Sequence, residues 1–523
     1  MTHPPLQTLA PHLIVGLAGP ALTLGERSIL SRYPVSGVIL FDRNVAGARA
    51  VMELTQDLRR IYREARGAVP LIAADHEGGI VSVLARAIGV PPTQMAAGRA
   101  GDAALCGRLF TENARRLRSC GVNMLLGPVA DVNSETLNPV IGSRSFGEDE
   151  ALVSNLTAVA VSAARREGVL TCLKHFPGHG PTVIDSHLAF TALSSSMDEL
   201  RRNDVRPFAG GIRAGAECVM MGHIAPRGRK LPASLDPEIV GGMLRGELGF
   251  DGVVMTDGLE MEGARVAASS VEELCRRSLE AGCDMLLFSK GAEEVFAALQ
   301  SPGSDAPGER AGGGERGISP VSAARVRRLL AAAAAREREF ELPDDSRVYE
   351  EIARRSIRVV DGDPGAGLPP RGWRAVFHAE RGEFERFPVR RFIVRSLRSL
   401  GAGERAGGAA EDRAAAAGAD GADFRLEPRA DAPSGPPRLE SREYVEAGAG
   451  EAPADVVFLL NRRPIDAETA GRLAAGSSLV VVAGWPYAAE LLPPGVRAIV
   501  TFGLYDAAAD LVGAYARAQA RAK

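Results

Sequence analysis

The stretch Lys174–His187 reads KHFPGHGPTVIDSH, and these fourteen residues hold a lysine, an aspartate and three of the chain's eight histidines. Asp185 and His187 stand two apart, so in extended backbone they project to one side. A carboxylate so placed can fix an imidazole in one tautomer and raise its basicity, which makes the pair a candidate general acid/base unit. The alternatives are a loop held by histidine hydrogen bonds or a metal site. A metal site is disfavoured, because no second histidine follows at i+3 or i+4 on a regular element and the stretch itself holds no cysteine. Lys174 and His175 end an apolar run, and as neighbours on a strand they are expected to diverge, with at most one central. Two further carboxylates sit at the exits of apolar runs: Asp75 in AADHEGG and Asp257 in VVMTDGLEM. Each reads equally as a poorly solvated reactive group or as a helix cap or structural ion pair.

The elements that would position these groups recur through the first 300 residues. Short β-branched apolar runs cover 12–19, 35–42, 69–77, 122–132, 169–175, 216–223, 251–258 and 283–290. Between them, segments of helical period cover 46–66, 101–119, 148–167, 198–214, 236–248 and 269–281. Continuous apolar strands alternating with amphipathic helices predict a parallel sheet covered by helices, and eight such units predict a (β/α)8 TIM barrel. That fold places its functional groups at the C-terminal strand ends. Here those ends carry Asp42, Asp75-His76-Glu77, Asp131, Lys174-His175, His223 and Asp257.

Residues 1–300 are thus expected to form the catalytic barrel, and 301–343 a linker with a connecting helix. Residues 344–523 are expected to form a smaller open α/β domain with a parallel sheet, its strands near 374–380, 391–397, 455–461, 478–484 and 497–503. An Ala/Gly/Asp-rich interruption spans about 401–440.

The totals set limits. A net charge of -3, with 46% hydrophobic and 24% charged residues, gives no electrostatic case for nucleic acid or an anionic membrane surface. The six cysteines form no C-x-x-C pair and read as buried free thiols. The N-terminal stretch has an apolar patch without a basic flank or cleavage pattern, and no apolar run reaches membrane-spanning length. A cytoplasmic location is expected, with no cofactor and no metal. No oligomeric state follows from the sequence.

KHFPGHG with DSH, MTDGLEM, AADHEGG and NPVIGSRSFGED (138–149) together resemble family 3 glycoside hydrolases, in particular their two-domain β-N-acetylglucosaminidase branch. The resemblance runs from about residue 10 to 300 and more weakly through the second domain. It implies a retaining exo-β-N-acetylglucosaminidase (a β-N-acetylhexosaminidase) acting on terminal GlcNAc of cell-wall-derived sugars, in peptidoglycan recycling. It further implies that Asp257 is the nucleophile and that His187, held by Asp185, is the acid/base. Asp75, Arg144, Lys174 and His175 then bind sugar hydroxyls, while His223 lines the pocket and His179 shapes the loop. The chain departs from the family pattern at His76, where glutamine is common, at Ile80, where arginine is common, at Pro181, where aspartate is common, and in LAFTAL after His187, where a leucine-proline pair is usual. These departures bear on fine specificity more than on catalysis. Three alternatives remain open: a phosphorylase on the same scaffold, because a histidine would not repel phosphate; a β-glucosidase or β-xylosidase with its acid/base in the second domain; and a sugar-binding protein without turnover.

Overall fold

In a computed structural model the described residues are 6–182, 191–265, 268–300, 318–337 and 347–360. In the C-terminal region they are 375–378, 392, 396, 422–427, 438–443, 456–459, 467–468, 479–484, 486–492, 496, 498–503, 505, 507–509 and 512. The expected dyad, Asp185 and His187, lies outside them, as does most of the expected linker.

The eight apolar runs of the first half become parallel strands: β1 (Leu13–Gly16), β2 (Gly37–Leu40), β3 (Leu71–Ala74), β4 (Met124–Leu125), β5 (Leu170–Phe176), β6 (Cys218–Met221), β7 (Val253–Gly258) and β8 (Met285–Gly291). They pair in chain order and close β8 onto β1, which gives the expected barrel. Alternation along each strand divides the apolar side chains between two layers. Ile14, Ile39, Leu71, Met124, Leu170, Cys218, Met255 and Leu287 form one cluster that fills the barrel. Val15, Val38, Leu40, Ile72 and Leu125 turn outward into the layer shared with helices such as α1 (Ala48–Arg66). The other helices include α2 (Gln94–Arg99), α3 (Ala103–Ser119) and α4 (Glu150–Arg166). All six cysteines are free and buried.

Helix α5 (Pro320–Ala335) contributes Val326, Leu329 and Ala333 to the barrel-filling cluster. Arg325 and Arg328 of this helix pair with Asp251, just ahead of β7, so α5 stoppers the N-terminal end of the barrel. The opposite mouth is therefore the end at which polar side chains gather.

The second sheet contains β9 (Arg358–Val360), β10 (Ala375–His378), β11 (Ala422–Glu427), β12 (Arg438–Glu443), β13 (Val456–Leu459), β14 (Leu479–Val482) and β15 (Ala498–Val500). Its order is β9-β15-β14-β13-β10-β11-β12, and β10, β13, β14 and β15 are mutually parallel as expected. The outer strands β9, β11 and β12 pair antiparallel. Two expectations change here. Part of the Ala/Gly-rich interruption is strand, because β11 and β12 pair along six residues each. Within 391–397, expected as strand, Phe392 and Ser396 are helical. Both are buried, four residues apart on one face, and a short apolar run cannot by itself distinguish helix from strand.

Candidate active site

Strands β3, β4, β5 and β7 deliver the chemistry to the C-terminal mouth. Asp257 is the penultimate residue of β7, half-buried, and its Oδ1 accepts the Gly258 N–H at 2.7 Å. Thr256 beneath it is fully buried, and its hydroxyl accepts the Leu287 N–H at 3.1 Å, which ties the end of β7 to β8. The carboxylate of Asp257 thus sits at the rim of a rigid strand end.

Across the mouth lies a chain of ionic groups. Lys174 Nζ is 2.5 Å from Asp75 Oδ1 and 2.5 Å from Glu77 Oε1. Glu77 receives Arg144 through two parallel bonds, Nε to Oε2 at 2.8 Å and Nη2 to Oε1 at 2.9 Å. Arg144 Nη2 then faces His175 Nε2 at 3.4 Å, and His175 Nδ1 donates to Asp131 Oδ2 at 2.8 Å. This geometry places the imidazole proton on Nδ1 and leaves Nε2 for the guanidinium.

Burial alone would push the Glu77 carboxyl up, but the Arg144 and Lys174 cations hold it well below the usual carboxylate range. Asp131 is likewise lowered against its burial by His175. Lys174 is raised against its burial by Asp75 and Glu77, and Arg144 is raised by Glu77. Glu77, Asp131, Lys174 and Arg144 therefore stay charged. Lys174 is 3% exposed and Glu77 1%, whereas Asp75 is 21% exposed, so Asp75 is the member of this chain best placed to meet a ligand.

Lys174 and His175 do not diverge as strand neighbours should. Both enter the same ionic chain, because the pairing of β5 with β6 loses its register between Leu173 and Phe176 and the side-chain alternation breaks there.

The loop after β4 carries Arg144. Asn138 shapes it from within, its Oδ1 accepting the N–H groups of Val140 and Ile141 at 2.8 Å each. Its Nδ2 donates to the carbonyls of His179 and Gly180, also at 2.8 Å each, so one amide joins the Arg144 loop to the histidine loop. Gly180 packs so tightly that a Cβ there would meet the Val132 carbonyl at 1.6 Å. The His179 N–H donates to Asp131, and Thr182 lies on the ring Nδ1 at 3.0 Å. Burial and the adjacent His175 push His179 down to about 4, so it is a neutral structural ring. His223 is engaged at both nitrogens, by Ser234 at 2.8 Å and by the Gly258 carbonyl at 3.0 Å, and it buttresses the turn after Asp257. His76 accepts the Leu84 N–H, and burial followed by the Arg116 charge pushes it down to about 3.

Asp75, Arg144, Lys174 and His175 are thus brought together, while His223 joins the Asp257 side of the mouth. Glu77, Asp131 and Asn138 join the site without a motif that assigns them a role. Glu77 and Asp131 were visible as strand-end carboxylates, and Asn138 only as part of NPVIGSRSF. The arrangement combines a rim carboxylate with fixed, alternating hydrogen-bond donors and acceptors, which suits a polyhydroxylated ring, since each unmet polar group would cost roughly 1–3 kcal/mol.

Known proteins bear on this site. Residues 16–302 match the profile of the "Glycosyl hydrolase family 3 N terminal domain". The chain is 37% identical over 297 residues to a β-hexosaminidase of Stenotrophomonas maltophilia strain K279a, covering 55% of this chain and 87% of that protein. It is 33% identical over 360 residues to a β-hexosaminidase of Bordetella avium, covering 67% and 96%. Among solved structures, a family 3 β-N-acetylglucosaminidase from Paenibacillus superposes with a TM-score of 0.77 at 26% identity, covering 98% of this chain and 96% of that one. The second domain is included in that match, whereas a Neisseria gonorrhoeae NagZ covers 66% of this chain at a TM-score of 0.54. By its barrel, its strand-end groups and these matches, the chain belongs to glycoside hydrolase family 3.

Proposed function

We propose that this glycoside hydrolase is a retaining, exo-acting β-N-acetylglucosaminidase that releases terminal β-linked GlcNAc. The observation that carries the reading is the carboxylate of Asp257 at the exit of β7, with the buried chain Asp75–Lys174–Glu77–Arg144–His175–Asp131 at the same mouth. The relatives named β-hexosaminidase and β-N-acetylglucosaminidase support the acetamido sugar.

Asp257 attacks the anomeric carbon, and the bond from that carbon to the aglycone oxygen breaks. His187, oriented by Asp185, gives its proton to the departing oxygen. A water then enters, loses a proton to His187 and displaces Asp257, so that the sugar leaves with its original configuration. Asp75, Lys174, Arg144 and His175 hold the ring hydroxyls, and His223 keeps the backbone after Asp257 in place. Cell-wall-derived sugars are the proposed source of substrate and the cytoplasm the proposed compartment, both on the likeness to this branch of the family.

Product analysis on an aryl β-N-acetylglucosaminide, with and without inorganic phosphate, tests this reading. Free GlcNAc at a phosphate-independent rate is expected, with Asp257→Asn abolishing it. GlcNAc-1-phosphate at a rate that climbs with phosphate would make the chain a phosphorylase instead.

A further inference from the structure

The excursion that carries Asn138 and Arg144 leaves the barrel after β4 and rejoins it at α4. Its two ends come together at Asn133 and Gly147, where the Asn133 N–H donates to the Gly147 carbonyl at 2.9 Å. At this neck a side chain from the second domain enters. Tyr487 lies in the helical turn Pro486–Leu491 that follows β14. Its hydroxyl accepts the Asn133 Nδ2–H at 2.9 Å and donates to Glu148, so one phenol bridges the entry and the exit of the excursion.

Both partners are tied further into the site. The other amide atom of Asn133, Oδ1, accepts the Gly142 N–H at 3.1 Å and thereby holds the turn Gly142–Arg144. Glu148 takes Arg99 of α2 on both oxygens, at 2.7 and 2.9 Å. The Arg99 guanidinium lies over the Phe502 ring of the second domain, 5.3 Å from its centroid. Thr93, which caps α2, donates to the Phe502 carbonyl at 2.6 Å. The loops after β14 and β15 therefore both hold the barrel, the first at the neck of the Arg144 excursion and the second at α2.

We infer that the second domain is a positioning element for the sugar site: Tyr487, by closing the neck at Asn133 and Glu148, fixes where Arg144 stands. This rests on the reading of Arg144 as a sugar ligand. Tyr487 touches no reacting atom in this scheme. It acts through Asn133 and Gly142, so its loss should weaken ground-state and transition-state binding alike and leave the chemical step nearly unchanged.

Tyr505→Phe supplies a matched control. Tyr505 also belongs to the second domain, and its hydroxyl sits 3.1 Å from that of Ser356, so this variant removes a buried hydroxyl that bridges neither Asn133 nor Glu148. Two readouts are taken on the full chain: amide hydrogen exchange across residues 134–147, and kcat and KM on an aryl β-N-acetylglucosaminide. For Tyr487→Phe, exchange across the excursion should quicken and KM should rise by about tenfold with kcat within about threefold, the scale of one or two lost hydrogen bonds. Tyr505→Phe should move neither. Unchanged exchange in Tyr487→Phe would overturn the inference. So would faster exchange with an unmoved KM, or equal effects in both variants. If the wild-type chain turns over no β-glycoside, the functional reading has failed by itself, and exchange alone then decides whether Tyr487 holds the excursion.

Discussion

Arg144 and Glu77 meet as a planar fork on a carboxylate, with both side chains almost fully buried at the mouth of the barrel. Glu77 also carries Lys174, so a single carboxylate neutralises two cations that would otherwise repel each other in a dry setting. Replacing Glu77 by glutamine leaves those cations with Asp75 and Asp131 only. The variant should lose about 3–5 kcal/mol of stability, read by urea unfolding of the barrel. Arg144→Lys keeps a positive charge but not the fork, so kcat/KM should fall by about 100-fold with a smaller loss of stability. Equal stability losses in the two variants would contradict this division of roles.

His187 should reveal itself through the leaving group. As the proposed proton donor, His187 is needed most for a poor leaving group. His187→Ala should lower kcat/KM on an unactivated alkyl glycoside by about 10²–10⁴-fold and spare kcat/KM on an aryl glycoside whose phenolate departs unaided. On the latter kcat should fall, because the water step has lost its base. Kinetics on a series of aglycones of graded acidity reads this directly. A uniform drop in kcat/KM across the series would remove His187 from proton transfer to the leaving group, and retention of most activity throughout would point to an acid supplied by the second domain.

Asp204 predicts a pH effect on stability. It is buried beneath the histidine loop, so close to Gly178 that a Cβ there would lie 2.4 Å from its own, and its Oδ1 has no hydrogen-bond partner among the described residues. Burial, and then the charge of Asp131, push its carboxyl up to about 7. The folded protein therefore holds a proton that the unfolded chain releases near pH 4. Its contribution is least unfavourable below pH 4, declines as pH rises towards 7, and stays unfavourable above that. Asp204→Asn should thus stabilise the protein at pH 8, on the order of 2 kcal/mol, and leave it nearly unchanged at pH 4. Urea unfolding at the two pH values gives the comparison, and equal effects at both would show that Asp204 does not titrate in this range.

The barrel was legible because each strand is buried on both faces and so appears as an unbroken apolar run. The positions of Asp75, Lys174 and Asp257 followed from where those runs stop. What the residues could not disclose was pairing. Lys174 and His175 converge through a register break in β5 that no alternation rule anticipates. The expected helix over 198–214 divides into Met197–Arg202 and Arg206–Arg213, and the break between them carries Asp204. Glu77 and Asp131 were seen as strand-end carboxylates, but only the folded barrel brings Arg144 and His175 to them. In the second domain, charged residues interleave with the apolar ones in β11 and β12, and composition concealed both strands. The bond between Tyr487 and Asn133 spans 354 residues and left no local trace.

The stopper helix α5 has a consequence for how the chain comes into being. All eight barrel strands precede it, so during synthesis they emerge while the N-terminal opening still lacks Val326, Leu329 and Ala333. A nascent barrel in that interval presents an apolar hole to its surroundings, a place for chaperones to hold and for aggregation to begin. The same holds for a fragment cut at the end of β8. The smallest piece able to close its own barrel must run through α5, beyond the glycine-rich linker sequence at 301–318.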